Sequence, residues 1–149
     1  MNLRNLIKEY LEQGLVMQLA SSVDNQPWIC TVYYVADGNL NIYWLSWTTR
    51  RHSQEIKANC KVAVTIPIKL DRPVTGVQAE GKASEVTDAV LIEEMMKKYT
   101  AKYDAGHEFY KNFMDGKNKH TMYKFTPAAY VLFDEFNFPD EGRQELRLV

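Results

Sequence analysis

The 149-residue chain is poor in cysteine, with Cys30 and Cys60 alone. They form neither a Cys-x-x-Cys pair nor any metal-ligand spacing. They are read as buried thiols in a reducing cytoplasm. The three histidines, His52, His107 and His120, are scattered, so no zinc site is expected. A basic excess is also missing: the net charge is −1, which argues against a nucleic-acid binder. No apolar run is long enough to cross a bilayer, so no membrane partner is expected, and Met1-Asn2-Leu3-Arg4-Asn5-Leu6 does not read as a signal peptide. There is no Gly-x-Gly-x-x-Gly, no Walker A loop and no Gly-x-Ser-x-Gly elbow, so the common dinucleotide, nucleotide and hydrolase sites lack support. What remains is a chain without visible catalytic machinery, which suits a protein whose cofactor does the chemistry.

What is present is ordinary for one globular domain over residues 1–149, with 46% hydrophobic and 25% charged residues. Leu3, Leu6, Ile7, Tyr10 and Leu11 recur at helical spacing, and Gly14 stops that helix. Alternation from Leu15 to Ala20 predicts a strand, and Trp28 to Val35 a second one. Asp37-Gly38 predicts a hairpin turn into a third. Val62 to Ile66 and Val74 to Val86 read as further strands, with Pro67 and Arg72-Pro73 bracketing a loop. Gly76 and Gly81 mark points of bending or close backbone approach. Thr87 or Asp88 caps a helix whose Ala89, Ile92, Met96, Tyr99 and Tyr103 share a face, and a shorter helix follows at 108–114. Thr121 to Phe133 is the last strand, with Pro127 at an edge or bulge, and 136–149 reads as a polar, irregular tail. About six strands and three or four helices result, mainly β with peripheral helices: an antiparallel barrel.

The stretch from Ile42 to Ile56 holds the candidate site. A strand rich in aromatic and aliphatic residues feeds into a helix, and Thr48 and Thr49 are expected to cap it. Such a junction leaves backbone N–H groups unpaired and attracts anions. Ser46, Thr48 and Thr49 add hydroxyls, Arg50 and Arg51 guanidiniums, and His52 an imidazole. Three basic residues at the positive end of a helix dipole oppose stability unless an anion neutralises them. Trp47 lies beside the junction as a ligand wall, whereas Trp28 and Trp44 read as core. Asp134, Glu135 and Asp140 read as a solvated acidic tail.

The order of several segments resembles the flavin-binding split barrels of the pyridoxamine 5′-phosphate oxidase-like family. The resemblance begins with Leu19-Ala20-Ser21 and Gln26-Pro27-Trp28. It continues through Tyr33-Tyr34-Val35-Ala36-Asp37-Gly38 and Ile42-Tyr43-Trp44-Leu45-Ser46. Thr49-Arg50-Arg51-His52-Ser53 stands where members carry Ser-Arg-Lys, and Asn59-Cys60-Lys61-Val62-Ala63-Val64 stands for Asn-Pro-x-Val-Ala. Gly76 to Gly81 and Tyr123 to Pro127 complete a likeness spanning about residues 15–133.

That resemblance implies a split antiparallel β-barrel that binds FMN at a homodimer interface. Arg51 would bind the FMN phosphate, with His52 beside it in place of lysine. Thr49 and Ser46 would donate hydroxyls to phosphate or ribityl oxygens. Thr31 would lie near the isoalloxazine edge, and Gln78 would approach the flavin from the long strand. Glu145-Leu146-Arg147-Leu148 is similar to the Arg-Leu-x-Pro ending of true pyridoxine phosphate oxidases, but the tryptophan before that motif is missing, so vitamin B6 oxidation is not expected. The leading expectation is a cytoplasmic FMN-dependent oxidoreductase acting on a small organic substrate or a nicotinamide. A non-catalytic flavin sensor is the second reading. A haem-binding split barrel, with His52 or His120 as axial ligand, is the third.

Overall fold

In the computed structural model, which describes residues 2–149, Asn2 starts the first helix by accepting the Asn5 N–H at 3.0 Å. Helix α1 (Leu3–Gln13) buries Leu6, Ile7, Tyr10 and Leu11, the face that the periodicity predicts. Gly14 ends it for want of space: a Cβ there would stand 2.2 Å from the Tyr34 hydroxyl. Strands β1 (Val16–Val23) and β2 (Gln26–Tyr33) pair across a two-residue turn, with Asp24 and Asn25 both at positive φ. In the next hairpin, β3 (Val35–Ala36) to β4 (Ile42–Trp47), the positive φ falls on Leu40 rather than Gly38. The Asp37 carboxylate holds that loop by accepting the Asn39 and Asn41 N–H groups.

Helix α2 (Arg51–Ala58) leads to β5 (Lys61–Lys69) and β6 (Thr75–Glu85). Helices α3 (Ala89–Tyr103) and α4 (His107–Met114) follow, then β7 (His120–Asp134) and β8 (Arg143–Arg147). The Asp88 carboxylate caps α3 through the Val90 and Leu91 N–H groups. All pairings are antiparallel, in the order β2-β1-β5-β6-β7-β4-β3, with β8 also on β7. The sheet is an open, curled half-barrel. Gly76 and Gly81 are required by close approach, since a Cβ would meet the Ile66 and Thr126 carbonyl oxygens at 2.4 and 2.2 Å. Pro127 sits beside the register shift at Glu80/Gly81, between the β7 residues that pair with β4 and those that pair with β8.

Three expectations are corrected. Strand β5 runs through Pro67 to Lys69, because β6 supplies its partners that far. The tail is not irregular: Arg143–Arg147 adds a strand to β7. Asp134 is not solvated but 1% exposed, where it accepts the Tyr10 hydroxyl at 2.5 Å. One core fills the concave side, with Trp44, Leu19, Ile66 and Phe125 fully buried. A second lies under α3 and α4, around Tyr43, Met95, Met96 and Met122. No helix among the described residues is long and apolar enough to cross a membrane.

Candidate functional site

Strand β4 buries Ser46 with the main core, and Trp47 lies on the opposite, α3-facing side. Thr48 and Thr49 then turn in solvent, and the chain enters α2 with Arg50 as N-cap. The expected threonine cap is absent: both threonines stop short of the cap position, and Arg50 makes no side-chain cap bond. No acidic residue stands in the first turn. The start of α2 therefore carries its positive dipole end and orphan N–H groups without a capping side chain.

The two arginines go separate ways. Arg51 Nε bonds Glu55 Oε2 at 2.6 Å, and its guanidinium lies 4.0 Å from the Trp28 ring centre. Glu55 also accepts the Ser21 hydroxyl at 2.8 Å. Hydrogen bonds from Arg51 and then Ser21 hold the Glu55 carboxyl below the usual carboxylate range. Arg51 remains half-exposed, and its terminal nitrogens have no bonded partner among the described residues. Arg50 instead lies 4.7 Å from the Trp47 ring centre, with Lys119 at 5.4 Å. Among the described residues neither Arg50 nor Lys119 has a carboxylate within 4.0 Å.

Ser46 and His52 meet each other. Ser46 Oγ and His52 Nε2 are 2.7 Å apart and both residues are buried, so the imidazole pins the helix start to β4. Burial, and then the Arg50 charge, lower the His52 pKa and keep the ring neutral. His120, at the start of β7, has its pKa lowered for the same two reasons, and its Nδ1 contacts Asn118 Oδ1.

Thr31 and Gln78 belong to a different surface. Successive cross-strand partners Thr31, Gln18, Thr65, Gln78, Val131 and Glu145 form one row across six strands on the convex face. The adjacent row is Ile29, Ala20, Ala63, Glu80, Ala129 and Arg147. Small side chains at Ala20, Ala63 and Ala129 open a groove of about 480 Å³ between longer neighbours, with Gln18, Thr65 and Gln78 along it. Thr31 and Trp28 face opposite sides of β2, so the groove and the Arg51 cluster lie on opposite sides of that strand. Within one chain the six candidate residues thus fall into a buried pair (Ser46, His52), an exposed turn and helix start (Thr49, Arg51) and a convex row (Thr31, Gln78).

Sequence reasoning missed Glu55, Ser21 and Trp28 as partners of Arg51, and Gln18 and Thr65 as members of the row. The alternation of β1 and β5 carried the signal for the row; the Arg51 partners depend on how α2 lies on the sheet. Trp28 is not core but 41% exposed, because it serves as the platform under Arg51. Cys60 is exposed, at the mouth of a cavity of about 570 Å³ beside α2, and Cys30 is half-buried. Both thiols are free, but the expected burial fails for Cys60.

The uncapped helix start, two arginines and the exposed Thr48 and Thr49 hydroxyls fit a phosphate group. Ser46 and His52 fit the role of holding that junction in place, since Ser46 Oγ and His52 Nε2 are spent on each other.

A family profile described as pyridoxamine 5′-phosphate oxidase matches residues 3–133. Among curated proteins no match is found. Solved structures resemble the fold at low identity. General stress protein 26 from Bacillus anthracis has a TM-score of 0.73 at 15% identity, covering 99% of this chain and 100% of that one. The haem storage protein from Vibrio cholerae has a TM-score of 0.64 at 18% identity, covering 85% and 91%. An FAD-binding protein from Mesorhizobium loti has a TM-score of 0.62 at 16% identity, covering 87% and 92%.

Proposed function

The chain belongs to the pyridoxamine 5′-phosphate oxidase family, and on that premise we propose that it binds FMN and acts as an oxidoreductase on a small organic substrate or a nicotinamide. The observation that carries this reading is the start of α2: no capping side chain, no acid, and Arg51 half-exposed at the first helical position. Arg51 offers its terminal nitrogens to the phosphate, while Glu55 and Trp28 hold the guanidinium in place. Thr48 and Thr49 offer hydroxyls from the turn. Ser46 and His52 fix the helix start relative to β4. Thr31 and Gln78 face the isoalloxazine side from the convex sheet. A bound flavin supplies the capacity to take up and return two electrons; the protein supplies binding, orientation and shelter from water.

Thr31 and Gln78 lie across β2 from Arg51, so one chain does not enclose a whole flavin. We propose a homodimer in which the convex groove of each subunit faces its partner and completes the site. The family resemblance, the alanine-lined groove and the exposed Ile29 in the adjacent row support this arrangement.

A second reading is haem binding, supported by the fold shared with the Vibrio cholerae haem storage protein. In that reading iron would fall to His52 Nδ1 or His120 Nε2, the ring nitrogens without a bonded partner among the described residues. His52 is buried with Nε2 taken by Ser46, and His120 has Nδ1 against Asn118. Ligating iron through either of those nitrogens would require breaking that contact.

The test is a visible absorption spectrum of the purified protein after FMN or haemin is added and free ligand is removed by gel filtration. A retained flavin spectrum is the expected outcome. A Soret band with haemin and no retained flavin would replace this reading by the second.

A further inference from the structure

Lys102 lies in the seam between α1 and α3, apart from both the α2 junction and the convex groove. It borders a cavity of about 340 Å³ together with Leu11, Glu12, Val35, Ala36, Lys98 and Ala101. Its ammonium stands 4.0 Å from the Tyr34 ring centre and 5.4 Å from that of Tyr103. Its bond to the Leu11 carbonyl is long, 3.5 Å, and that carbonyl already accepts the Tyr34 hydroxyl at 2.8 Å. Lys98, one helical turn earlier, donates to the Ala36 carbonyl on the same cavity wall. Among the described residues neither lysine has a carboxylate within 4.0 Å.

A lysine that merely capped the end of α1 would bond its carbonyls closely and keep its charge. Lys102 lacks the close carbonyl bond, and burial beside the Lys98 charge lowers its pKa. An amine that is desolvated beside a second cation is the setting in which lysines become nucleophiles. We propose that Lys102 is a nucleophilic lysine that forms an imine with a small aldehyde bearing a carboxylate, and that Lys98 holds that carboxylate. The uncharged Lys102 Nζ adds its lone pair to the aldehyde carbon. Both amine hydrogens then leave with the aldehyde oxygen as water, and a carbon–nitrogen double bond remains. Nothing is oxidised or reduced.

The groups facing Lys102 set its readiness. Burial and then the Lys98 charge lower its pKa, Glu12 from α1 opposes them, and the net value is about 8. Tyr34 and Tyr103 contribute rings rather than charge, since burial pushes both hydroxyls well above their usual range. Near pH 8 a far larger share of Lys102 is uncharged than of an ordinary exposed lysine.

The test is reductive trapping on the intact protein: glyoxylate with cyanoborohydride at pH 8, followed by peptide mass spectrometry. The readout is a mass on a named lysine, independent of any flavin. Lys102 is expected to be modified about tenfold faster than the exposed Lys57 and Lys61, with a rate that rises through pH 8. Lys98→Gln should reduce the preference for glyoxylate over acetaldehyde at Lys102. Trapping spread evenly over exposed lysines, or slowest at Lys102, would overturn the nucleophile. An unchanged preference in Lys98→Gln would overturn the role of Lys98.

Discussion

Arg50 and Arg51 are neighbours in the chain, yet their guanidiniums lie over different tryptophans, Arg50 at 4.7 Å from the Trp47 ring centre and Arg51 at 4.0 Å from that of Trp28. The pair is therefore not one clamp with two equal jaws. Arg51 is braced by Glu55, which Ser21 also holds, so its position is fixed before a ligand arrives. Arg50 sits at the N-cap, where its charge acts on His52 and His120. Under the proposed function this division gives Arg51 the ligand-facing role and Arg50 an electrostatic one.

Replacing Arg51 by Ala should weaken FMN binding about 10–100-fold, the scale of a lost charge-assisted pair. Riboflavin lacks the phosphate, so its affinity should change by no more than about threefold. Fluorescence titration of both flavins measures the contrast. Equal losses for the two ligands would show that Arg51 acts through Trp28 and the fold, not through the phosphate.

Burial of His52, with the Arg50 charge beside it, makes stability depend on pH. The folded-state pKa of His52 is lowered, so between that value and the unfolded value of about 6.5 the unfolded chain binds more protons. Stability is then full above about pH 6.5 and falls as the pH drops through that window. His120 adds a contribution of the same sign. Urea midpoints at pH 5.5 and 7.5 should differ less in His52→Gln than in the unaltered protein. Identical differences in the two proteins would remove His52 as a source of acid lability.

The fold was largely legible because its signals are local or periodic. Leu6, Ile7, Tyr10 and Leu11 declared the buried face of α1, and the alternation of β1 declared which residues reach the core. Strand β8 escaped notice because Arg143–Arg147 alternates between exposed and half-buried residues, with no apolar stripe to mark it. At the site, the residue types named the chemistry but not the geometry. Arg51 was proposed from its residue type and position, whereas its brace, Glu55 with Trp28, depends on α2 lying over β1 and β2. Asp134 reads as solvent-facing in sequence, since nothing local shows that a tyrosine 124 positions away will bury and bond it.

The convex groove tests the proposed assembly. Ala63 lies mid-row between Ala20 and Glu80, so Ala63→Arg places a long charged side chain where a partner sheet would approach. Sedimentation velocity should give a dimer for the unaltered protein and a monomer for the variant. Flavin retention should fall with the dimer, because Thr31 and Gln78 then lose the subunit that completes their site. A variant that is monomeric yet keeps its flavin would sink the shared site.

Tyr10 and Asp134 provide a contrast, a polar contact between α1 and the end of β7 that lies apart from α2. The hydroxyl donates to the carboxylate at 2.5 Å, and Asn137 donates to the same carboxylate through its side chain and backbone. Burial alone would raise the Asp134 pKa, but the bonds from Tyr10 and Asn137 outweigh it and the net shift is downward. That stabilisation is present above the unfolded value of about 3.9 and is lost as the pH falls through the lower folded value. Tyr10→Phe leaves the buried carboxylate short of its nearest donor, at a cost of about 1–3 kcal/mol at pH 7. Its network ties α1 to the turn after β7, away from α2, so FMN affinity should stay within about twofold while the urea midpoint falls. A Tyr10→Phe protein of unchanged stability would mean that Asn137 and water satisfy Asp134 without it.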